Sequence, residues 1–339
     1  MATLTETTRS IRASGHIRPL QAYRDMAAVA DLVELCFSDT LDAEGRRYIQ
    51  NMRTVSAAPG YLYFTSLAEG FNSLPVAGYV WEEAGRIIGN LSLIPQRIHR
   101  QKAYLIANVA VHPSYRRRGI GKALTQEGID HSRRHGAASV WLQVREENGP
   151  AIHLYESLGF EERARRTTWY SSSSFSSANK AAADGNSAGT ASSPEIQIRP
   201  VSPAVWPKQL DWLKRNYPRE IDWQTPFKAE LLQPGWKGWL QCLLKGVIVQ
   251  QWAAWKEELL IGVLSNQTTL TTNNLLWLAA DPEQEEQAAL ALLHHLRQVS
   301  GKRGSFVFDY PSHRADQAIQ SAGFYSHQNL IWMEIKFHR

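Results

Sequence analysis

The chain has 339 residues, 43% of them apolar and 20% charged, with a formal net charge of +5. These are globular values, and the length suits two domains with full cores rather than one. Cys36 and Cys242 stand far apart with no Cys/His cluster, and no apolar run approaches a membrane span, so zinc, a disulfide framework and a transmembrane segment are not expected.

In chain order, residues 1–15 are polar and read as a disordered N-terminus without a secretory signal. His16-Ile-Arg-Pro19 leads into a helical stretch, and an acidic, tyrosine-bearing segment follows at 36–63. A strand at 76–81 ends in Glu82 and Glu83. Ala84-Gly85 beside them is a hairpin signal, so that acidic pair is expected to be solvated. A second strand, 104–111, runs into Val111-His-Pro-Ser-Tyr-Arg-Arg-Arg-Gly-Ile-Gly-Lys-Ala-Leu124. That stretch combines a strand end, a basic turn and a helix start. Gly119 and Gly121 remove Cβ atoms that would block close backbone approach, and the helix to about His135 aims its free N–H groups and positive dipole end into the turn. Each charge-assisted bond from the arginines at 116–118 contributes about 1.5–3 kcal/mol to holding a phosphate. The layout reads as a pyrophosphate site or, on its own, as a plain turn with a solvated basic patch.

Gly136 closes that helix, a strand follows at 139–144, and Asn148-Gly-Pro150 opens a short helix that Gly159 stops. A closing strand is expected at 161–170. In this order and spacing, residues 104–170 resemble the GCN5-related N-acetyltransferases, the GNAT superfamily. Arg116, Gly119 and Gly121 meet its first hallmark; Asn148, Leu154-Tyr155-Glu156 and Gly159-Phe160 meet its second.

The resemblance implies acetyl-CoA as cosubstrate and no metal. Arg116, Arg117, Arg118, Gly119, Ile120, Gly121 and Lys122 inherit the pyrophosphate role. Val109, Ala110 and Val111 inherit the strand edge that pairs with pantetheine, and Asn148 inherits a pantetheine contact. Tyr155 inherits the phenol that protonates the departing thiolate, a reasonable exchange between a pKa near ~10 and one near ~8.5. Tyr155 read without that context is a packing residue, and Asn148 a helix cap that could do both jobs. His153 reads as a surface histidine and His112 as structural. No general base is assigned: Asn108 stands near the place where relatives often carry a carboxylate, and Glu82, Glu83, Glu146 and Glu147 are the nearest acids in sequence. Segment 36–63 covers the place where relatives shape the acceptor pocket. Its Asp39, Asp42, Glu44 and Tyr61-Leu-Tyr63 are recognition groups for an amine or a solvated helical face.

Residues 171–194 are low in complexity and read as a flexible Ser/Ala/Gly linker. Beyond it the chain repeats. Ile196-Gln-Ile-Arg-Pro200 echoes the start, Leu-Ala-Ala-Asp-Pro282 echoes Val-Ala-Val-His-Pro113, and a helix (288–299), strand (304–310), helix (315–323) and strand (326–337) follow. The expected fold is α/β (α+β). It has two tandem GNAT-like domains, 16–170 and 195–339, each a mixed, mostly antiparallel sheet flanked by helices with a splayed central strand pair.

The second copy lacks the chemistry. Glu283-Gln-Glu-Glu-Gln287 replaces the basic turn, where carboxylates would repel a phosphate, and Tyr155 falls opposite Ala318 or Ile319. Nine of the twelve tryptophans lie in 206–332, as cleft lining or as core and interface filler.

The function expected is an N-acetyltransferase, moving acetyl from acetyl-CoA directly to a primary amine of a small molecule or protein in a ternary complex. The alternative is a non-catalytic acetyl-CoA-binding regulatory protein. No nucleic-acid or membrane partner is expected, because the positive charge clusters where a phosphorylated cofactor would sit. The expected location is cytoplasmic, the oligomeric partner undefined.

Overall fold

A computed structural model describes residues 15–41, 43–57, 77–171, 196–221, 223, 227–268, 274–300 and 305–337. Asp42, Tyr61-Leu-Tyr63, the side chain of Glu44 and nearly all of the expected 171–194 linker lie outside the described residues. The chain divides into two compact units. The first holds Met1–Val144, Asn148–Glu161 and Trp332–Arg339; the second holds Arg145–Glu147 and Glu162–Ile331.

In the first unit, β1 (His16–Pro19) leads to α1 (Ala22–Phe37) and α2 (Ala43–Ala57). Helix α1 buries Met26, Val29, Ala30 and Val33, a three-and-four spacing that keeps one face apolar. That face packs with Ile49 and Met52 of α2 and with Val80 and Ala110 of the sheet. Each such side chain contributes about 1.5–3 kcal/mol by burial.

The strands β2 (Ala77–Glu83), β3 (Arg86–Ile98) and β4 (Gln101–Val111) form an antiparallel meander. Its first turn uses Ala84 and Gly85 at φ +50° and +73°, the left-handed pair that a two-residue hairpin demands. Next come α3 (Ile120–Arg134), β5 (Ser139–Arg145) and α4 (Gly149–Ser157). Strand β5 lies parallel to β4, and the strand order is β1-β2-β3-β4-β5. Helix α3 seats closely on the sheet: a Cβ at Gly89 would come within 2.9 Å of Ile120 and 3.0 Å of Leu124.

The second unit repeats this topology. It contains β6 (Glu161–Ser171), β7 (Ile196–Pro200), α5 (Trp206–Asn216), α6 (Trp236–Lys245), β8 (Ile248–Lys256), β9 (Leu259–Thr268) and β10 (Asn274–Ala280). They are followed by α7 (Glu285–Ser300), β11 (Phe306–Pro311), α8 (Asp316–Ser321) and β12 (Phe324–Lys336). The order β6-β11-β10-β9-β8-β7 again places a parallel pair, β10 and β11, at the centre. Alternation splits β10 cleanly. Leu276, Leu278 and Ala280 face α7 and α8, while Trp277 and Ala279 face Trp212 and Leu213 of α5.

The joints differ from the expected 16–170 and 195–339 division. Strand β6 was expected to close the first half. It forms where expected but pairs antiparallel with β11, from Val307↔Tyr170 to Pro311↔Arg166, within the second unit. The end of β12 instead joins the first unit beside β5, where Phe337 N–H donates to Ala138 O at 2.8 Å and Arg133 lies over the Phe337 ring. Each sheet thus closes with a strand from the other half of the sequence. Local patterning marks a strand but says nothing about which edge receives it.

The tryptophans also divide. Trp212, Trp277 and Trp332 are buried, as core filler was expected to be, whereas Trp236 and Trp239 stand exposed on α6.

Candidate active site

The ladder between β4 and β5 runs from Ala103↔Ser139 to Ile106↔Leu142 and stops there. Past that point β4 is bent by a bulge: two steps of β3, Asn90 to Ser92, face three steps of β4, Ala107 to Ala110. Asn108 sits in the bulge at φ +50°. The predicted residues Val109, Ala110 and Val111 therefore lie on the part of β4 that has left β5, as the splayed pair required.

Asn108 is tied into a polar cluster. Its Nδ2 donates to Tyr48 Oη at 2.7 Å, its carbonyl accepts from Asn90 Nδ2 at 2.9 Å, and Ser92 stands at 3.4 Å. Burial pushes the Tyr48 phenol up to about 12, against the pull of the Asn108 bond. Sequence reasoning missed Tyr48; its only signal was the oddity of an asparagine in an apolar strand.

At the end of β4, His112 caps a single 3-10 turn (Pro113–Tyr115), its Nδ1 accepting from Ser114 N–H at 3.3 Å. That is the structural role expected of it. Arg117 at φ +61° and Gly119 at φ +80° then turn the chain into α3. A Cβ on Gly119 would meet nothing within 4 Å, so glycine serves the left-handed conformation there. At Gly121 a Cβ would touch only Leu154 and Val111, at 3.7 and 3.8 Å. The first intrahelical bond is Ala123 N–H to Gly119 O. The N–H groups of Gly119, Ile120, Gly121 and Lys122 precede that bond and have no intrahelical acceptor, and the helix has no side-chain cap.

The three arginines are not equivalent. Arg116 Nε donates to Val111 O at 3.3 Å, beside Cys36, whose thiol donates to the same carbonyl at 3.3 Å. Burial raises the Cys36 thiol above its usual range although Arg116 pulls it down. Arg118 donates from one nitrogen, Nη2, to both Glu83 oxygens at 2.9 and 3.2 Å and lies over the Tyr115 ring. Arg117 has no partner among the described residues. The acidic pair expected to be solvated is engaged: Glu83 is buried on Arg118, and Glu82 accepts from Arg18 at 2.6 Å. A hairpin signal predicts the turn, but the neighbouring arginines in space decide the solvation.

Asn148 caps α4, its Oδ1 accepting from Ala151 N–H at 3.3 Å, and Pro150 occupies the first turn. Tyr155 lies on the inner face of α4 against the Phe160 ring, centroids 5.9 Å apart. Burial alone pushes its phenol up to about 12. Its hydroxyl has no hydrogen-bond partner among the described residues. His153 is exposed, with Glu156 at 3.9 Å, as its surface reading required. Of the other acids considered as a base, Glu146 is held low by His313, Arg165 and Asn329. A cavity of about 450 Å³ lies instead between α1 and the β2–β3 hairpin, lined by Arg18, Asp25, Leu32, Glu82 and His112; neither Tyr155 nor Asn148 is among its walls.

The equivalent place in the second unit is closed. The β10–β11 ladder also ends early, at Leu275↔Val307. Here side chains meet the open carbonyls: Asn216 Nδ2 donates to Leu278 O at 3.1 Å, Arg215 to Ala280 O at 2.8 Å, and the buried Arg166 to Asp309 O at 2.8 Å. The helices register through glycine contacts. Ile120 and Leu124 crowd Gly89, while Ala288 and Leu292 crowd Gly262. Helix α3 begins at Ile120 itself, but α7 begins at Glu285, three residues before Ala288. An extra helical turn thus stands where the first unit has its glycine turn. Glu285, read from sequence as a repelling charge, is buried and bound by Tyr310 and by Arg314.

Residues 41–160 match the model of the Acetyltransferase (GNAT) family. Over 63 residues the chain is 49% identical to the ribosomal protein bS18-alanine N-acetyltransferase of Escherichia coli strain K12, covering 19% of this chain and 43% of that protein. Over 116 residues it is 32% identical to an N-alpha-acetyltransferase of Sulfurisphaera tokodaii, covering 34% of this chain and 63% of that one. The matches thus span less than two thirds of either relative. Among solved structures, the GCN5-related glucosamine N-acetyltransferase region of a fungal multi-domain GH3 β-N-acetylglucosaminidase aligns over 95% of this chain and 38% of that chain. Its TM-score is 0.51 at 12% identity, a likeness of fold.

Proposed function

From a chain whose N-terminal half is a GNAT-family domain, we propose an N-acetyltransferase that moves the acetyl group of acetyl-CoA directly to a primary amine. The reading is carried by one arrangement. A splayed strand edge at 109–111, a turn with four N–H groups that have no intrahelical acceptor and a buried neutral phenol are all in the first unit. The turn residues fit a pyrophosphate, because Gly119 and Gly121 leave their surface open and Arg117 adds an unengaged charge.

The thioester supplies an activated acetyl carbonyl. The β4 edge aligns the pantetheine chain, and Asn148 orients it. The amine nitrogen forms the C–N bond as the C–S bond breaks. Tyr155, protonated throughout the physiological range, gives its proton to the departing sulfur, and the proton released by the amine restores the phenol through water.

The acceptor we infer is an α-amine of a protein. Asn108 occupies the place where the family often carries a base, and an amide cannot deprotonate an ammonium. At pH 7 about one α-amine in ten is already neutral, against about one lysine in 2,500. The two named relatives above act on an alanine and at N-alpha positions.

The test measures CoA release with a peptide bearing a free N-terminus, and with the same peptide N-terminally blocked but carrying lysine. Turnover of the first only, lowered about 10²-fold or more by Tyr155→Phe, supports the reading. Equal turnover of the blocked lysine peptide overturns the acceptor; an unaffected Tyr155→Phe overturns the acid.

A further inference from the structure

Asn108 is the one polar residue between Leu105 and Val111, and three side chains from two other elements fix it. Its Nδ2 donates to Tyr48 Oη of α2 at 2.7 Å and stands 3.4 Å from Ser92 Oγ of β3. Its backbone carbonyl accepts from Asn90 Nδ2, also of β3, at 2.9 Å. Asn90 and Ser92 are fully buried and touch each other at 3.3 Å, so the support is packed from below. The backbone at φ +50° suits asparagine better than any other residue with a Cβ except aspartate. One group is left over. Asn108 Oδ1 receives no hydrogen bond among the described residues, and Asn108 itself is half-buried rather than sealed. The oxygen and nitrogen of an amide diverge, so anchoring Nδ2 on Tyr48 turns Oδ1 away from α2.

The place of that oxygen gives it a use. The ladder with β5 ends at Ile106↔Leu142, two residues before Asn108. A cofactor held by the turn at 116–122 and paired along Val111 to Val109 runs back toward the closed end of the gap, which brings its thioester beside Asn108. An attacking amine aims its lone pair at the acetyl carbon, leaving its N–H bonds for the protein to hold. As the C–N bond forms, the nitrogen gains positive charge and its N–H groups become stronger donors. A bond to a fixed oxygen therefore tightens in the transition state and lowers the barrier. The amide oxygen takes no proton; the proton leaves through water. Tyr48 is no base either, because burial pushes its phenol up to about 12 and no phenolate forms at neutral pH.

We propose that Asn108 Oδ1 receives an N–H of the acceptor amine and aligns it for attack, and that Tyr48 is a positioning residue acting through the Asn108 amide. The assignment rests on the acetyl-transfer reading. The test is steady-state kinetics with the free-N-terminus peptide, beside calorimetry of acetyl-CoA. Asn108→Gly removes the oxygen and leaves the φ +50° backbone unstrained. Its kcat/KM should fall about tenfold or more, chiefly in kcat, with acetyl-CoA affinity within about twofold of the parent. Tyr48→Phe should cost about fivefold in the parent and nothing further in Asn108→Gly, a coupling that a merely structural tyrosine does not produce. Asn108→Asp keeps an acceptor oxygen, and its carboxylate can also take a proton from an ammonium. It should restore turnover over Asn108→Gly and move the rise of kcat/KM to lower pH. The assignment is overturned if Asn108→Gly turns over as the parent does, or if its loss is matched by an equal loss of acetyl-CoA affinity. It is equally overturned if Asn108→Asp is as slow as Asn108→Gly, or if the Tyr48→Phe and Asn108→Gly effects simply add. A parent that binds acetyl-CoA but releases no CoA with any peptide overturns the transferase reading, and this assignment with it.

Discussion

Arg117 and Arg118 are neighbours with opposite assignments. Arg117→Ala removes an unengaged charge and a residue held at φ +61°, so acetyl-CoA affinity should fall about tenfold or more with no loss in melting temperature. Arg118→Ala leaves the buried Glu83 unpaired. It should lower stability by about 1–2 kcal/mol, discounted because the arginine is partly exposed, with affinity changed less than in Arg117→Ala. Calorimetry and thermal melts on both variants separate the two roles. Tyr155 offers a cleaner division. Its hydroxyl bonds nothing among the described residues, so Tyr155→Phe should cut turnover while leaving the melting temperature unchanged. Its phenol titrates near 12 when folded, against about 10 unfolded. The stability from burying it neutral is therefore full below pH 10 and is lost as pH rises from 10 through 12. The rate should show no tyrosine ionisation below pH 10, and the rise of kcat/KM with pH should follow the amine.

Among the elements, the two glycine-contacting helices teach most. The motif residues of α3 and α4 were legible because glycine, asparagine and proline carry conformational demands that survive out of context. In the second half, Pro282 matches Pro113 and sets Glu283–Gln287 opposite the basic turn, where the sequence alone gives three carboxylates that would repel a phosphate. Without a glycine to adopt the left-handed conformation, the chain has no break there, and α7 simply starts a turn earlier. Glu285 then falls inside, on Tyr310 and Arg314. Glu285→Ala should cost the second unit about 2–4 kcal/mol in urea unfolding, because it strands a buried phenol and a guanidinium. Helix α6 is not among the elements expected from the sequence, where Trp236 and Trp239 read only as cleft lining or core and interface filler. The direction it points depends on Gly238 and its fit to Gln233, which no pattern announces.

At the scale of the whole molecule, a two-part organisation and the order of elements were readable from the internal echo, and the strand partners were not. The proposed site in the first unit and the filled place in the second predict a single acetyl-CoA per chain by calorimetry. Glu285→Gln with Glu286→Gln should leave that number at one, since the obstruction is a helical turn and three side chains on open carbonyls rather than charge. The exchange of closing strands also fixes an order of events during synthesis. The first unit counts Trp332–Arg339 among its members, so its sheet stays open beside β5 until those residues have left the ribosome. Every shorter nascent chain presents that bare edge, the kind that recruits stray strands, for as long as translation of the second half takes. A premature stop in the linker would then yield no free-standing first unit, only a fragment for the proteases.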